Sequence, residues 1–217
     1  MEQIFLGFIP EEVFKILKKY RYNMVIGVTG NSGSGKSEVS KILAKKINAI
    51  IINADEEVKK LSEPGNIYYE KIIKKFGKNI LENKKINKNK LADLIYNNKK
   101  ARKKINKLTN KYVVKEIIKK TKIEKNKNNI VILDVPLLFE SKLNKICNFT
   151  VAVIAKEEIK INRIINRDNT NENIAKARLN IQPNDEFYKK RASFIIENNE
   201  NLEKIDLEEI CTKIGKN

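Results

Sequence analysis

Histidine is absent from the 217 residues, and so is tryptophan. Without imidazole there is no His-ligated metal centre and no nucleophile–histidine triad. A proton acceptor working near neutral pH must then be Asp, Glu or Lys. Cysteine is nearly absent too: Cys147 and Cys211 stand far apart, without metal-ligand spacing, which suits a reducing compartment. No apolar run approaches the roughly 20 residues of a membrane-spanning helix. The opening MEQIFLGFIP carries an acid where a signal peptide wants bases, and Gly and Pro interrupt its apolar run. These absences point to a cytoplasmic protein with no membrane partner.

Acidic residues are outnumbered: 27 Asp and Glu face 45 Lys and Arg, a formal net charge of +18. Only six of those 45 bases are Arg. Lys, Asn and Ile dominate together, as A/T-biased coding would produce, and such Lys belong mostly on solvated faces. The charge therefore favours phosphate-bearing ligands without implying a nucleic-acid partner. At 41% hydrophobic the chain is rich enough for one core, with room for an inserted subdomain.

Glycine is scarce as well, and its distribution is informative. Three of the eight fall within six positions of GVTGNSGSGKS, residues 27–37. Gly30-x4-Gly35-Lys36-Ser37 satisfies the phosphate-loop pattern, with β-branched residues before it and helical residues after. Amides converge on an anion only where no Cβ intrudes, and a following helix N-terminus adds its dipole. The expected contacts to a nucleoside triphosphate are Gly30, Ser32, Gly33, Ser34, Gly35, Lys36, Ser37 and the Glu38 amide, with the Glu38 carboxylate turned away. Lys36 is expected to reach the β- and γ-phosphates and the Ser37 hydroxyl to ligate Mg²⁺.

Five β-branched runs, at 25–28, 49–52, 130–133, 150–154 and 193–196, predict strands buried on both faces of a parallel sheet. Helical segments at 36–47, 156–168 and 200–214 give a βαβ rhythm. Nearly eighty residues separate the second and third strands and read as a helical insertion; KNKNN at 125–129 is its exit turn. A second strandless insert covers 167–191, and residues 1–23 read as an accessory extension, or a start placed too early. Guanine-nucleotide signatures are missing: no Asp has Gly three residues on, and Asn106-Lys107-Leu108 ends in Thr109.

IINAD at 51–55 puts Asp55 at the carboxyl edge of the sheet, where α/β folds bind ligands. On position alone it is either a base for an attacking hydroxyl or the N-cap of the helix beginning EEVKKL. Asp134, after the third strand, reads as a turn residue ahead of a holder of a Mg²⁺-bound water. Three of the six Arg lie within sixteen residues, at Arg163, Arg167 and Arg178. Guanidinium forks suit the charge that spreads over a transferring phosphoryl group. Function is placed ahead of Asp168 or Glu172 pairing for Arg167 and Arg178, with Arg163 left open. Tyr68 and Tyr69 either stack on an adenine or pack. The Lys-rich insertion reads mostly as a solvated face.

Taken in order, GVTGNSGSGKS, INAD with LSEPGN, LDVPLLFES, NRDNTNENIAKARLNIQ and ASFIIENN resemble the successive signatures of the dephospho-CoA kinase family, across about residues 24–200. The resemblance implies a P-loop kinase of α/β class with a five-stranded parallel core, a helical CoA-binding region at 56–129 and a lid at 167–191. It implies transfer of the ATP γ-phosphate to the ribose 3′-hydroxyl of dephospho-CoA, with Asp55 as catalytic acid–base group beside Lys36 and Arg167. Arg178 is expected on ATP, and Leu137, Leu138 and Glu140 on the acceptor. Two positions depart from the pattern: Asn53 stands where the family usually has Asp, and Asn110-Lys111 where it tends to have His-Pro. The rival readings are a nucleoside or nucleotide kinase of the same fold, and a basic nucleic-acid-binding ATPase.

Overall fold

The computed structural model describes residues 24–96, 98–127 and 129–199. The expected extension at 1–23 and the expected helix at 200–214 lie outside the described residues. Five parallel strands form the central sheet: β1 (Val25–Thr29), β2 (Ile50–Asn53), β5 (Val131–Asp134), β6 (Phe149–Ile154) and β7 (Phe194–Glu197). Their spatial order is β2-β5-β1-β6-β7. All five follow the β-branched runs within a residue or two.

Alternation along β1 sends Ile26 and Val28 to one face and Val25 and Gly27 to the other. On the first face α1 (Lys36–Ile47) packs Val39, Leu43 and Ile47 against Ile132, Val151 and Val153. On the second, Val25, Val131 and Leu133 meet the helical insertion through Tyr68, Ile72, Val113 and Ile117. Burial on both sides explains why β1, β5 and β6 lack a polar–apolar alternation in sequence, whereas the edge strands β2 and β7 are partly exposed.

The insertion is built from α2 (Ala54–Leu61), α3 (Ile67–Phe76), α4 (Lys88–Tyr96) and α5 (Lys99–Asn126). It also contains a short antiparallel ladder, β3 (Leu81–Glu82) with β4 (Lys85–Ile86), where the sequence predicts only helix. The turn residues Asn83 and Lys84 both adopt positive φ, 50° and 63°. A glycine-poor Asn-Lys pair thus fills a tight turn that Asn-Gly would have advertised. Asn98 starts α5, its Oδ1 accepting from the amides of Lys100 and Ala101 at 2.9 and 3.0 Å. The 28 residues of α5 run about 42 Å through exposed Asn110 and Lys111. A proline at the second of these positions would remove a ladder donor and kink the helix.

Tyr68 and Tyr69 are buried, which settles their alternative in favour of packing. The Tyr68 hydroxyl pairs with Thr109 Oγ1 at 2.8 Å, and burial raises its pKa. After β6 come α6 (Glu157–Asp168), α7 (Glu172–Asn180) and the short α8 (Asp185–Lys189). Both α1 and α6 stop at an asparagine in the left-handed region, Asn48 and Asn169. Among the described residues no helix is long and apolar enough to cross a membrane.

Leu138 corrects an expectation. The sequence puts it on a wall for the acceptor, yet it is 0% exposed and lies under β1. A Cβ on Gly27 would stand 2.7 Å from its Cδ2, so the two positions are fitted to each other. The exposed residue of the pair is Leu137. Leu138→Ala is expected to lower the unfolding free energy by about 2–5 kcal/mol. Leu137→Ala is expected to change it by less than about 0.5 kcal/mol. Urea denaturation of both variants checks the contrast.

Candidate active site

The strand register sets the site. Val28 and Asn53 both pair with Asp134, so the carboxyl ends of β2, β5 and β1 finish nearly level, while β6, whose Ala152 pairs with Thr29, runs two residues further. Chain order also reverses about β1, since β2 and β5 lie on one side and β6 and β7 on the other. Such an edge leaves a crevice for ligands.

Residues 30–35 cross that crevice. Gly33 and Gly35 have φ of 77° and 88°. Any Cβ there would also strike protein from behind, 2.4 Å from the Lys160 carbonyl oxygen and 2.1 Å from Asn198 Nδ2. The glycines therefore serve close backing of the loop as well as access from the front. Asn198 Nδ2 donates to the Ser34 carbonyl at 2.8 Å. Arg163 Nη1 donates to the carbonyls of Gly33, Ser34 and Asn198 at 3.3, 3.4 and 3.1 Å. In a trans peptide C=O and N–H point oppositely, so gripping the Ser34 carbonyl turns the Gly35 N–H towards the open side. The amides of Lys36 and Ser37 stand beside it at the N-terminus of α1, where a helix offers no carbonyl.

Three amides expected on phosphate are engaged within the protein. The Ser34 N–H donates to Asn31 O at 3.1 Å, and the Ser32 N–H to Gln182 Oε1 at 2.9 Å. The Glu38 N–H donates to Gly35 O at 3.1 Å; that carbonyl also accepts from Val39, a sharing common in a first helical turn. The Glu38 carboxylate does turn away, onto Lys41 at 2.8 Å. Arg163, left open by the sequence, braces the loop's carbonyls. Sequence reasoning missed Gln182 and gave Asn198 no role, although both lie within quoted motifs, NIQ and ASFIIENN. Their signal was a polar side chain closing an otherwise apolar or helical stretch.

Asp134 is also corrected. It ends β5, is 2% exposed, and faces the loop and so is no turn residue. Burial pushes its carboxyl above the ordinary range; Ser37, Lys36 and Asn53 pull it down, and Asp55 pushes it up. Asn53 Nδ2 donates to Oδ2 at 2.7 Å, while the buried Oδ1 closes no hydrogen bond of ordinary geometry. That orphaned oxygen beside the Ser37 hydroxyl fits Mg²⁺, which keeps waters and phosphate oxygens and needs few protein ligands. Among the described residues no cluster of three or more Cys, Asp or Glu forms a cage of its own.

Strand β2 ends at Asn53, so Asp55 lies in the first turn of α2, exposed, where the sequence put it at the strand end. The cap of α2 is Asn53, whose Oδ1 accepts from Glu56 N at 3.0 Å. This removes the N-cap reading of Asp55 and leaves its carboxylate available at the sheet edge.

On the opposite flank Arg167 and Arg178 converge on Asp168. Arg167 Nε and Nη2 reach its two oxygens at 2.8 Å each, and Arg178 Nη1 reaches Oδ2. The Arg167 contact, ahead of the Arg178 charge, holds the Asp168 carboxyl below the usual range. The pairing weighed against function for these arginines is thus present, although Arg167 Nη2 also lies 3.3 Å from Ser32 Oγ. Beyond α7 the chain docks back on the loop: Asn31 Nδ2 donates to Pro183 O at 3.0 Å, and Lys160 binds Asp185 at 3.1 Å. Glu140 is exposed as a residue, yet partial burial of its carboxyl raises its pKa against the pull of its own backbone amide and of Arg191. The preceding Phe139 meets Phe187 of α8 edge-on at 6.0 Å.

A parallel sheet carrying such a loop, with a strand-end acid beside the loop's serine, places the chain among the P-loop kinases. The fold is shared with shikimate kinase from Acinetobacter baumannii, at TM-score 0.52 and 17% identity over 91% of this chain and 93% of that one. The sequence narrows the class, because the dephospho-CoA kinase family profile matches residues 24–204. A dephospho-CoA kinase of Fusobacterium nucleatum is 39% identical over 194 residues, covering 88% of this chain and 98% of that one. The dephospho-CoA kinase structure from Campylobacter jejuni aligns at TM-score 0.59 and 29% identity, over 88% and 94%. The chain belongs to the dephospho-CoA kinase family and is a phosphotransferase.

Asn198→Ala removes the shorter of the two side-chain donors to the Ser34 carbonyl, leaving Arg163 at 3.4 Å. We expect ATP affinity to fall about tenfold, near the upper end of the net worth of one hydrogen bond, because the weaker Arg163 contact remains. Equilibrium titration with a fluorescent ATP analogue measures it.

Proposed function

We propose that this chain transfers the γ-phosphate of ATP to the ribose 3′-hydroxyl of dephospho-CoA, the last step of coenzyme A synthesis. Family membership supports the substrate pair. The observation that carries the chemistry is that Lys36, at the start of α1, and Asp55, in the first turn of α2, both lie near enough to Asp134 for their charges to act on it, in opposite senses. Donor and acceptor groups therefore open onto one space at the sheet edge.

In this reading the amides of Gly35, Lys36 and Ser37 hold the donor's phosphates, and the Lys36 ammonium follows the γ-group. The Ser37 hydroxyl and Asp134 would hold a Mg²⁺ ion, which would supply charge neutralisation at the phosphate oxygens. Asp55 accepts a hydrogen bond from the ribose hydroxyl, aims its oxygen at phosphorus and takes the proton as the bond forms. A carboxylate is base enough because phosphoryl transfer depends chiefly on positioning and charge stabilisation. Leu137 and Glu140 border the acceptor's side of the site. Arg167 and Arg178, on the flap formed by the end of α6 and α7, meet the charge on the transferring group and help keep water out. The paucity of cysteine supports a cytoplasmic setting.

A coupled assay with ATP and dephospho-CoA, run beside nucleosides and nucleoside monophosphates, tests the substrate. Phosphorylation confined to a monophosphate would overturn it. For the mechanism, Asp55→Asn is expected to leave ATP binding within about twofold while lowering kcat about 10²–10⁴-fold. Unchanged turnover in that variant removes Asp55 from the reaction.

A further inference from the structure

We propose that Asp168 is a positioning residue that gathers Arg167 and Arg178 into one fork over the phosphate loop. The inference deepens the reading above and rests on its use of those two arginines.

Three observations carry it. Asp168 is the last residue of α6, where the helix presents its negative end. An acid there is electrostatically misplaced unless cations compensate it, and two guanidinium groups do so. The sequence also brings the second cation from a distance. Asn169, with φ of 48°, reverses the chain, so that α7 folds onto α6 through Ile161, Ile164, Ala175 and Leu179. Arg178, ten positions along the chain, thereby reaches the same Oδ2 that Arg167 already holds. Lastly, the fork touches the donor site, because Arg167 Nη2 reaches Ser32 Oγ at 3.3 Å.

The chemistry follows from charge. Two guanidinium groups brought together over one anion repel each other before that anion arrives. A shared carboxylate offsets the repulsion and leaves the trio with a net charge of about +1. It occupies the Nε–Nη2 edge of Arg167, which fixes the guanidinium plane. The expected consequence is on the chemical step, where a displacement of about 1 Å costs about 10²-fold in rate. Acceptor binding lies across the crevice and is left alone.

The test uses the full chain and a double-mutant cycle, with kcat, both KM values and the thermal midpoint as readouts. Asp168→Asn is expected to lower kcat about 10–100-fold, with KM for dephospho-CoA unchanged and the midpoint lowered by no more than about 4 °C. Combined with Arg178→Ala, it is expected to add nothing to the loss from Arg178→Ala alone, as residues acting as one unit do. Should Asp168→Asn fail to fold, Asp168→Glu enters the same cycle. One extra methylene must then lower kcat several-fold, again masked by Arg178→Ala. Additive losses, or a lowered midpoint at full kcat, overturn the proposal and make Asp168 a staple between helices. If Arg178→Ala is impaired while both Asp168 variants keep full turnover, only this inference fails. If Arg178→Ala itself keeps full turnover, the phosphoryl role of the arginines fails, and this inference with it.

Discussion

The site depends on the orientation of one peptide group, between Ser34 and Gly35. Its carbonyl is held from behind by Asn198 and Arg163, which commits the Gly35 amide to the open side of the loop. Those two side chains come from the end of β7 and the middle of α6, so the loop is only as ordered as the strand and helix behind it. The sheet supplies that order, with β6 fully buried beyond its first residue and packed between β1 and β7. Glycine at 33 and 35 is then the residue that lets two solid elements approach the loop's back.

This arrangement explains what the sequence made legible and what it hid. Local patterns sufficed for the sheet, because β-branched runs buried on both faces carry their own signature. They sufficed to place Lys36 and Ser37 at the start of α1 too, since that placement follows from the spacing of adjacent residues. Asn198 was hidden, since its partner Ser34 lies 164 positions away and nothing in ENN marks an amide aimed at a distant carbonyl. Asp134 was hidden for the same reason. Its neighbours Ser37 and Asn53 come from two other segments of the chain. Leu138 misled because apolar character alone does not separate a ligand wall from a core. The β3–β4 ladder went unseen because its turn is Asn-Lys, with neither position glycine.

Asparagine recurs where a chain with eight glycines needs something else to leave the helical region. It ends α1 and α6, starts α5, and opens the tight turn of the insertion. Its short amide tolerates positive φ and also accepts backbone amides at helix starts. The same bias that filled the surface with lysine therefore left the backbone's special conformations served.

Asn53 shows what one carboxamide can join at this position. Its Nδ2 donates to Asp134 and its Oδ1 accepts from the start of α2, so one side chain ties the donor-side acid to the helix bearing Asp55. An ionised carboxylate has no hydrogen to donate. At 2.7 Å from Asp134 it would bring a second negative charge against an acid that burial and Asp55 already push towards protonation. Such a pair needs a proton or a cation between its members. The amide needs neither, so Asp134 keeps its fixed orientation when the nucleotide and its metal are away. A neutral side chain at position 53 is thus well suited to the two groups it faces.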